Sequence, residues 1–201
     1  MQKLLLILAY SATLLLAGCS EPKLSPLSEN GTILAFGDSL TVGVGTSPNN
    51  SYPAILAELT GRQVINAGIS GEMTSAGLPR FKGLLEQSTP DIIILLEGGN
   101  DILRNGNLTT TRQNISEMIR LAHSRDIDVV LIGVPEKKLF SDSAPFYTEL
   151  AETYDVVFAD EIIAKLLRTP AYKSDAIHFN QPGYQKLAQH IYQLLQDNEA
   201  L

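Results

Sequence analysis

Five short apolar runs punctuate the chain: residues 32–36 (TILAF), 64–66 (VIN), 91–97 (DIIILLE), 128–134 (DVVLIGV) and 156–158 (VVF). They are nearly continuous rather than alternating, the pattern of parallel strands covered on both faces. Helical patterns fill the gaps. Residues 53–60 open on Pro53 and stop at Gly61, which are start and stop signals. Residues 78–87 predict a second helix. Ile115, Met118, Ile119 and Ala122 keep helical spacing on a third, and residues 147–153 and 162–167 predict shorter ones. Tyr184, Leu187, Ala188, Ile191, Leu194 and Leu195 form the apolar stripe of a last helix. Core packing explains every stripe. Strand alternating with helix predicts a three-layer α/β/α, flavodoxin-like domain over residues 31–201, with a five-stranded parallel sheet and right-handed crossovers. A ligand site on such a sheet lies beyond the carboxyl ends of its strands.

The first thirty residues follow a different logic. Lys3 is followed by an apolar run over residues 4–16, lightly broken by Tyr10, Ser11 and Thr13. It has the length of a signal-peptide core and is short for a membrane span. It ends in Leu16-Ala17-Gly18-Cys19-Ser20, and Cys19 is the only cysteine of the chain. Small residues before a lone cysteine resemble a bacterial lipobox. That resemblance implies a signal peptide over 1–18 and acyl chains on Cys19, hence a membrane partner through an N-terminal lipid anchor. Ser20 after the cysteine favours the outer membrane of a Gram-negative cell, on its periplasmic face. A plain secretory signal is the alternative. Residues 19–30, ending in the polar stretch EPKLSPLSEN, read as a tether.

Composition narrows the classes. The chain has 201 residues, 44% hydrophobic and 18% charged, too apolar to be disordered. Fifteen Lys+Arg against 22 Asp+Glu give a net charge of −7, with no basic stripe, so no nucleic-acid partner is expected. A single cysteine excludes an intramolecular disulfide and a Cys-based zinc cluster. Nothing in the pattern specifies an oligomeric state.

Four segments carry candidate chemistry, three of them just after strands. Ser39, in Gly37-Asp38-Ser39-Leu40-Thr41, sits where a turn leaves the first strand and is either a nucleophile or a helix cap. Asn66-Ala67-Gly68-Ile69-Ser70-Gly71 offers backbone N–H groups to an oxyanion, or is an ordinary turn. Asn100, in Glu97-Gly98-Gly99-Asn100-Asp101, offers a side-chain amide at the sheet edge, or caps the next segment. His178 follows Asp175 by three residues, so the acid can reach back to Nδ1–H. His123 and His190 fall in predicted helices. A strand-end serine, a glycine N–H, an amide and an Asp-x-x-His together are the parts for acyl transfer. The Gly-x-Ser-x-Gly elbow of ordinary α/β-hydrolases is absent.

The blocks GDSLT (37–41), NAGISG (66–71), GGND (98–101) and DAIHFN (175–180), in that order, resemble the SGNH (GDSL) hydrolase family. The similarity is greatest to the branch of bacterial multifunctional thioesterase/lysophospholipases and arylesterases. The resemblance spans residues 32–195 and implies a serine esterase acting on carboxylic or thioesters. It implies Ser39 as nucleophile, Asp175 and His178 as the rest of the triad, and Gly68 and Asn100 as oxyanion donors beside the Ser39 N–H. No cofactor and no metal are implied. Asp38 and Asp101 match the motif as braces of their turns. Phe179 stands where the family often has Pro, which should alter loop shape more than chemistry.

The expected partner is a small ester or lipid substrate. Residues 70–77 (SGEMTSAG) read as a loop able to move over the site, and residues 103–111 and 135–145 as loops able to line it. Ile69, Leu103 and Phe140 are candidate acyl contacts. Two alternatives remain: a carbohydrate O-acetyl esterase, against which the absence of Trp counts mildly, and a catalytically silent binding lipoprotein. Gly43-Val44-Gly45 lacks the third glycine of a nucleotide-binding fingerprint.

Overall fold

Strands β1 (Thr32–Gly37), β2 (Gln63–Gly68), β3 (Ile92–Leu96), β4 (Asp128–Ile132) and β5 (Val157–Ala159) pair in parallel, in the order β2-β1-β3-β4-β5. The computed structural model describes residues 23–138 and 141–201. The segment 1–18 expected to be a signal peptide, Cys19 and Phe140 therefore lie outside the described residues. β3 sits at the centre of the sheet and is buried along its whole length, which is why its sequence is an unbroken aliphatic run.

Helices cover both faces. α2 (Tyr52–Thr60) packs on α8 (Gln181–Asp197), which also meets α7 (Ile162–Arg168). α3 (Thr74–Gln87) packs on α5 (Leu108–His123), which also meets α6 (Pro145–Tyr154). Two short helices follow β1 and β3. They are α1 (Ser39–Val42) and α4 (Gly99–Leu103), written αA and αB below. Strand order reverses direction at β1, between its neighbours β2 and β3. The crevice at such a reversal is where open α/β sheets bind ligands, and αA and αB both begin there.

Two sequence expectations are corrected. Residues 74–77 are the first turn of α3, so only 70–73 of the segment expected to move lie outside the helix. Asp101 holds that turn from outside: its carboxylate accepts the Thr74 N–H (2.9 Å) and Oγ1–H (2.8 Å). A cap supplied by a distant residue leaves no local signal, whereas Gly77 and Pro79 look like start signals.

Residues 23–30, expected to belong to a tether, pack against the domain. Leu24 and Leu27 are buried in the core cluster. Leu27 N–H donates to Ala200 O (2.9 Å), and Ser25 N–H to the carboxylate of Asp128 at the start of β4 (2.6 Å). Residues 23–30 are thus laid along the amino-terminal edge of the sheet. Two leucines spaced three apart among polar neighbours are too few to stand out as a core pattern.

Candidate active site

β1 ends at Gly37, and Asp38 caps αA by accepting the Leu40 N–H (3.0 Å). Ser39 is therefore the first residue of a helix and its N–H is one of the groups that a helix leaves unpaired. No acceptor meets it among the described residues. The side chain is largely buried, and its Oγ stands 3.0 Å from His178 Nε2. His178 Nδ1 lies 2.7 Å from Asp175 Oδ2. Asp175 Oδ1 accepts the N–H groups of Ile177 and His178, both at 2.8 Å. The bond to His178 and those two backbone N–H groups pull its carboxyl down to about 2.

The segment carrying the histidine is pinned from several sides. Ser174 N–H donates to His178 O (3.0 Å), and Lys173 bridges to Phe179. Asn180 gives its amide to Ala171 O (2.9 Å) and Lys173 O (3.2 Å), and its oxygen caps α8 at Gly183 N–H (3.1 Å). Phe179 is fully buried against Tyr184, ring centroids 5.5 Å apart. Here a buried aromatic does the anchoring that Pro would otherwise contribute by stiffness. Tyr184 Oη–H in turn donates to Val44 O (2.7 Å), so α8 also holds the segment that follows the serine.

Asn100 enters from αB. Its Nδ2 donates one hydrogen to Asp38 Oδ2 (3.1 Å), which orients the amide and leaves the other hydrogen for a ligand. Asp38 is buried, and that burial raises its carboxyl to about 6. The brace expected of Asp38 thus joins the serine turn to the asparagine turn. Asp101 is the brace of α3 and also accepts from Thr111 Oγ1 (3.1 Å).

Gly68 does not present a free donor. Its N–H is taken by Asn66 Oδ1 (3.0 Å), while Asn66 Nδ2 donates to Thr41 O (2.9 Å). A side chain at Gly68 would press on the backbone of αA, within 3.0 Å of Asp38 O. The glycine is there for close packing, a reason that the motif alone does not distinguish from donation. Gly71, in the turn that follows, has an N–H without an acceptor among the described residues. Its carbonyl is held by Arg104 Nη2 at 3.2 Å.

A cavity of about 160 Å³ opens beside Ser39 and Asn100. Leu103 lines it with Leu40, Ile102, Val134, Ile163, Leu167 and Ile177. Ile69 is not among its lining residues and stands exposed on the turn after β2. The α7 residues Ile163 and Leu167 were not legible as site residues, because an apolar helix stripe reads as core. Ile177, between Asp175 and His178, carries no sequence signal for a place in the cavity wall either.

A serine, an imidazole and a carboxylate in one hydrogen-bonded line, at the carboxyl edge of a parallel sheet, define a serine esterase site of the acyl-enzyme class. The comparisons give the particular family. Residues 35–186 match the GDSL-like lipase/acylhydrolase family, and the chain belongs to it. It is 33% identical over 153 residues to an arylesterase of Vibrio mimicus, covering 71% of this chain and 76% of that one. It is 28% identical over 173 residues to thioesterase 1/protease 1/lysophospholipase L1 of Escherichia coli, covering 82% and 83%. The crystal structure of the psychrotrophic esterase EstA from Pseudoalteromonas superposes with a TM-score of 0.74 at 21% identity, covering 84% of this chain and 98% of that one. The protein is a GDSL-type serine esterase.

Proposed function

We propose that the esterase cleaves carboxylic esters with an apolar acyl group longer than acetyl, including aryl esters and lysophospholipids, through an acyl-enzyme on Ser39. The observation that carries the reading is the unbroken line Asp175–His178–Ser39 opening onto a cavity walled by aliphatic side chains. His178 Nε2 takes the Ser39 proton as Oγ bonds to the carbonyl carbon. The carbonyl electron pair moves onto oxygen, facing the Ser39 N–H, the free Asn100 amide hydrogen and the Gly71 N–H. Gly71 replaces Gly68 in this role because its N–H has no competing acceptor. The oxyanion collapses, the leaving alkoxide takes the proton from His178, and water repeats the cycle to free the acid. Asp175 holds the imidazole with Nδ1–H toward itself.

The test is hydrolysis of p-nitrophenyl esters from acetyl to palmitoyl, with lysophosphatidylcholine alongside and Ser39→Ala as control. A rate that rises beyond acetyl and vanishes in the mutant supports the reading. An acetyl-only profile would transfer it to a carbohydrate deacetylase. No turnover and no fluorophosphonate label on folded protein would leave a binding lipoprotein.

We further propose that the enzyme is carried on the cell envelope by lipid on Cys19, supported by Leu16-Ala17-Gly18-Cys19 after an apolar leader. Metabolic labelling with an alkyne fatty acid should mark the wild type and not Cys19→Ser.

A further inference from the structure

A pair of buried carboxyl groups sits behind the site and is used by no step above. Glu97 follows β3 directly and leads into Gly98-Gly99-Asn100; it is 1% exposed. Its Oε2 accepts the Gly98 N–H (3.0 Å), but its Oε1 meets no N–H or O–H donor among the described residues. The side chain of Glu72, the residue after Gly71, stands beside it. The two carboxyls converge on Gly77: a Cβ there would stand 3.4 Å from Glu72 Oε2 and 3.5 Å from Glu97 Oε1. Glu72 is itself buried and gripped by Arg80, whose Nε lies 2.9 Å from Oε1 and 3.1 Å from Oε2. Arg80 also donates to Ala67 O (2.9 Å) and covers the Phe36 ring at 4.0 Å, so it cannot swing to serve Glu97 as well.

Two buried carboxyls that converge with one oxygen left without a donor are best accommodated when one of them carries a proton. Burial first, and then the charges of Asp38 and Glu72, push Glu97 up to about 9. Burial and the neighbouring carboxylates thus favour the protonated form of Glu97. The other groups facing it are Asp38 and Tyr147, whose Oη–H donates to Glu97 O at 2.5 Å.

We infer that the Glu97–Glu72 carboxyl pair is a positioning device: its proton ties the turn bearing Gly71 to the turn bearing Asn100 and sets the spacing of the oxyanion donors. The inference rests on the oxyanion assignment proposed above. Arg104 on Gly71 O and Asp101 on Thr74 join the same two turns further out. The carboxyl pair is the tie placed next to both donors on the buried side. Losing its proton would put like charges across that tie, in a site with one guanidinium for Asp38, Glu72 and Glu97. Both turns would then separate. Misplacement by about 1 Å costs a catalytic site on the order of 10²-fold.

The experiment compares kcat and KM on p-nitrophenyl butyrate from about pH 6 to about pH 10 for wild type, Glu97→Gln, Glu97→Met and Asn100→Ala. Glutamine copies the protonated acid, accepting from Gly98 and donating to Glu72, but does not titrate. Wild type should lose kcat with a midpoint of about 9. Glu97→Gln should keep its neutral-pH kcat and hold it past that midpoint. Glu97→Met should lose about tenfold or more in kcat with KM nearly unchanged, and a thermal melt establishes that it is folded. An alkaline limb in Glu97→Gln identical to that of wild type overturns the inference, even if Glu97→Met fails to fold. So does full kcat in a folded Glu97→Met; if Asn100→Ala is crippled in the same series, the oxyanion assignment survives. Full turnover in Asn100→Ala removes both.

Discussion

Replacing Asp175 by Asn isolates what the acid does for the imidazole. Asp175 Oδ1 is fixed by the Ile177 and His178 N–H groups, both at 2.8 Å, and only an oxygen can fill that place. In Asp175→Asn the NH₂ must then face His178 Nδ1. A donor there makes Nδ1 the acceptor and puts the ring proton on Nε2, toward Ser39, where a base is needed. A serine protease locked in this wrong tautomer loses about 10⁴-fold in kcat, about 5.5 kcal/mol of barrier. The amide can escape by flipping, at the cost of leaving two N–H groups without their acceptor. Asp175 is half exposed (52% of its side chain), so water softens that cost to about 1 kcal/mol for each N–H, the low end of the range. The flipped form is then populated at roughly 3%, and the loss lies between about 30-fold and about 10⁴-fold. The assay is steady-state hydrolysis of p-nitrophenyl butyrate near neutral pH, with a thermal melt expected to be nearly unchanged because both backbone bonds survive. Turnover within tenfold of wild type would show that the acid does not set the tautomer, and the reasoning would fail.

Asn100→Ala should lower kcat by roughly 10²–10³ without altering the melting temperature much, because only one of its amide hydrogens is used within the fold. Asp38→Asn should cost about 10²-fold, since its amide would oppose the Asn100 amide and turn the carbonyl toward the oxyanion; wild-type kcat in that variant would refute the brace. Gly45→Ala, at φ +98 and pressed against Ser174 and Phe179 O, should lower both the melting temperature and kcat by shifting the histidine segment. Stability should also follow pH in a defined sense. Glu97 and Asp38 are raised on folding, so their contribution is complete at low pH and is lost as pH rises through about 6 for Asp38 and about 9 for Glu97. Asp175 is lowered, so its contribution is present above its ordinary value near 4 and lost toward about 2. Melting temperature should therefore be higher near pH 5 than near pH 9.5, and Glu97→Gln should narrow that gap.

The strands and the triad were legible because each leaves a local mark. A buried parallel strand needs an unbroken apolar run, and an acid three residues before a histidine needs only one turn to reach it. What escaped depends on distance in sequence. Thr74 starts a helix because Asp101 caps it from 27 residues away. Gly68 and Gly71 look alike in the motif. They differ only because Asn66 reaches one N–H and αA leaves no room for a side chain at the same position. Ile163 and Leu167 look like core until the cavity beside Ser39 is seen. Glu97 in a run of aliphatics reads as the polar end of a strand, whereas the fold encloses it with a second acid.

The seam formed by residues 23–30 gives the molecule two poles. The chain enters at the amino-terminal edge of the sheet, where Ser25 meets Asp128 and Lys23 pairs with Asp155, while Ser39 and Asn100 lie at the carboxyl edge. β1 alone, six residues long, separates the two by about 20 Å. From the proposed lipid on Cys19 to the first buried leucine there are only five residues of chain, a reach of at most about 17 Å. The proposed anchor would hold the enzyme with its mouth turned away from the leaflet that carries the lipid. Such an anchor would favour esters that arrive from the facing compartment over the lipids of the leaflet that carries it.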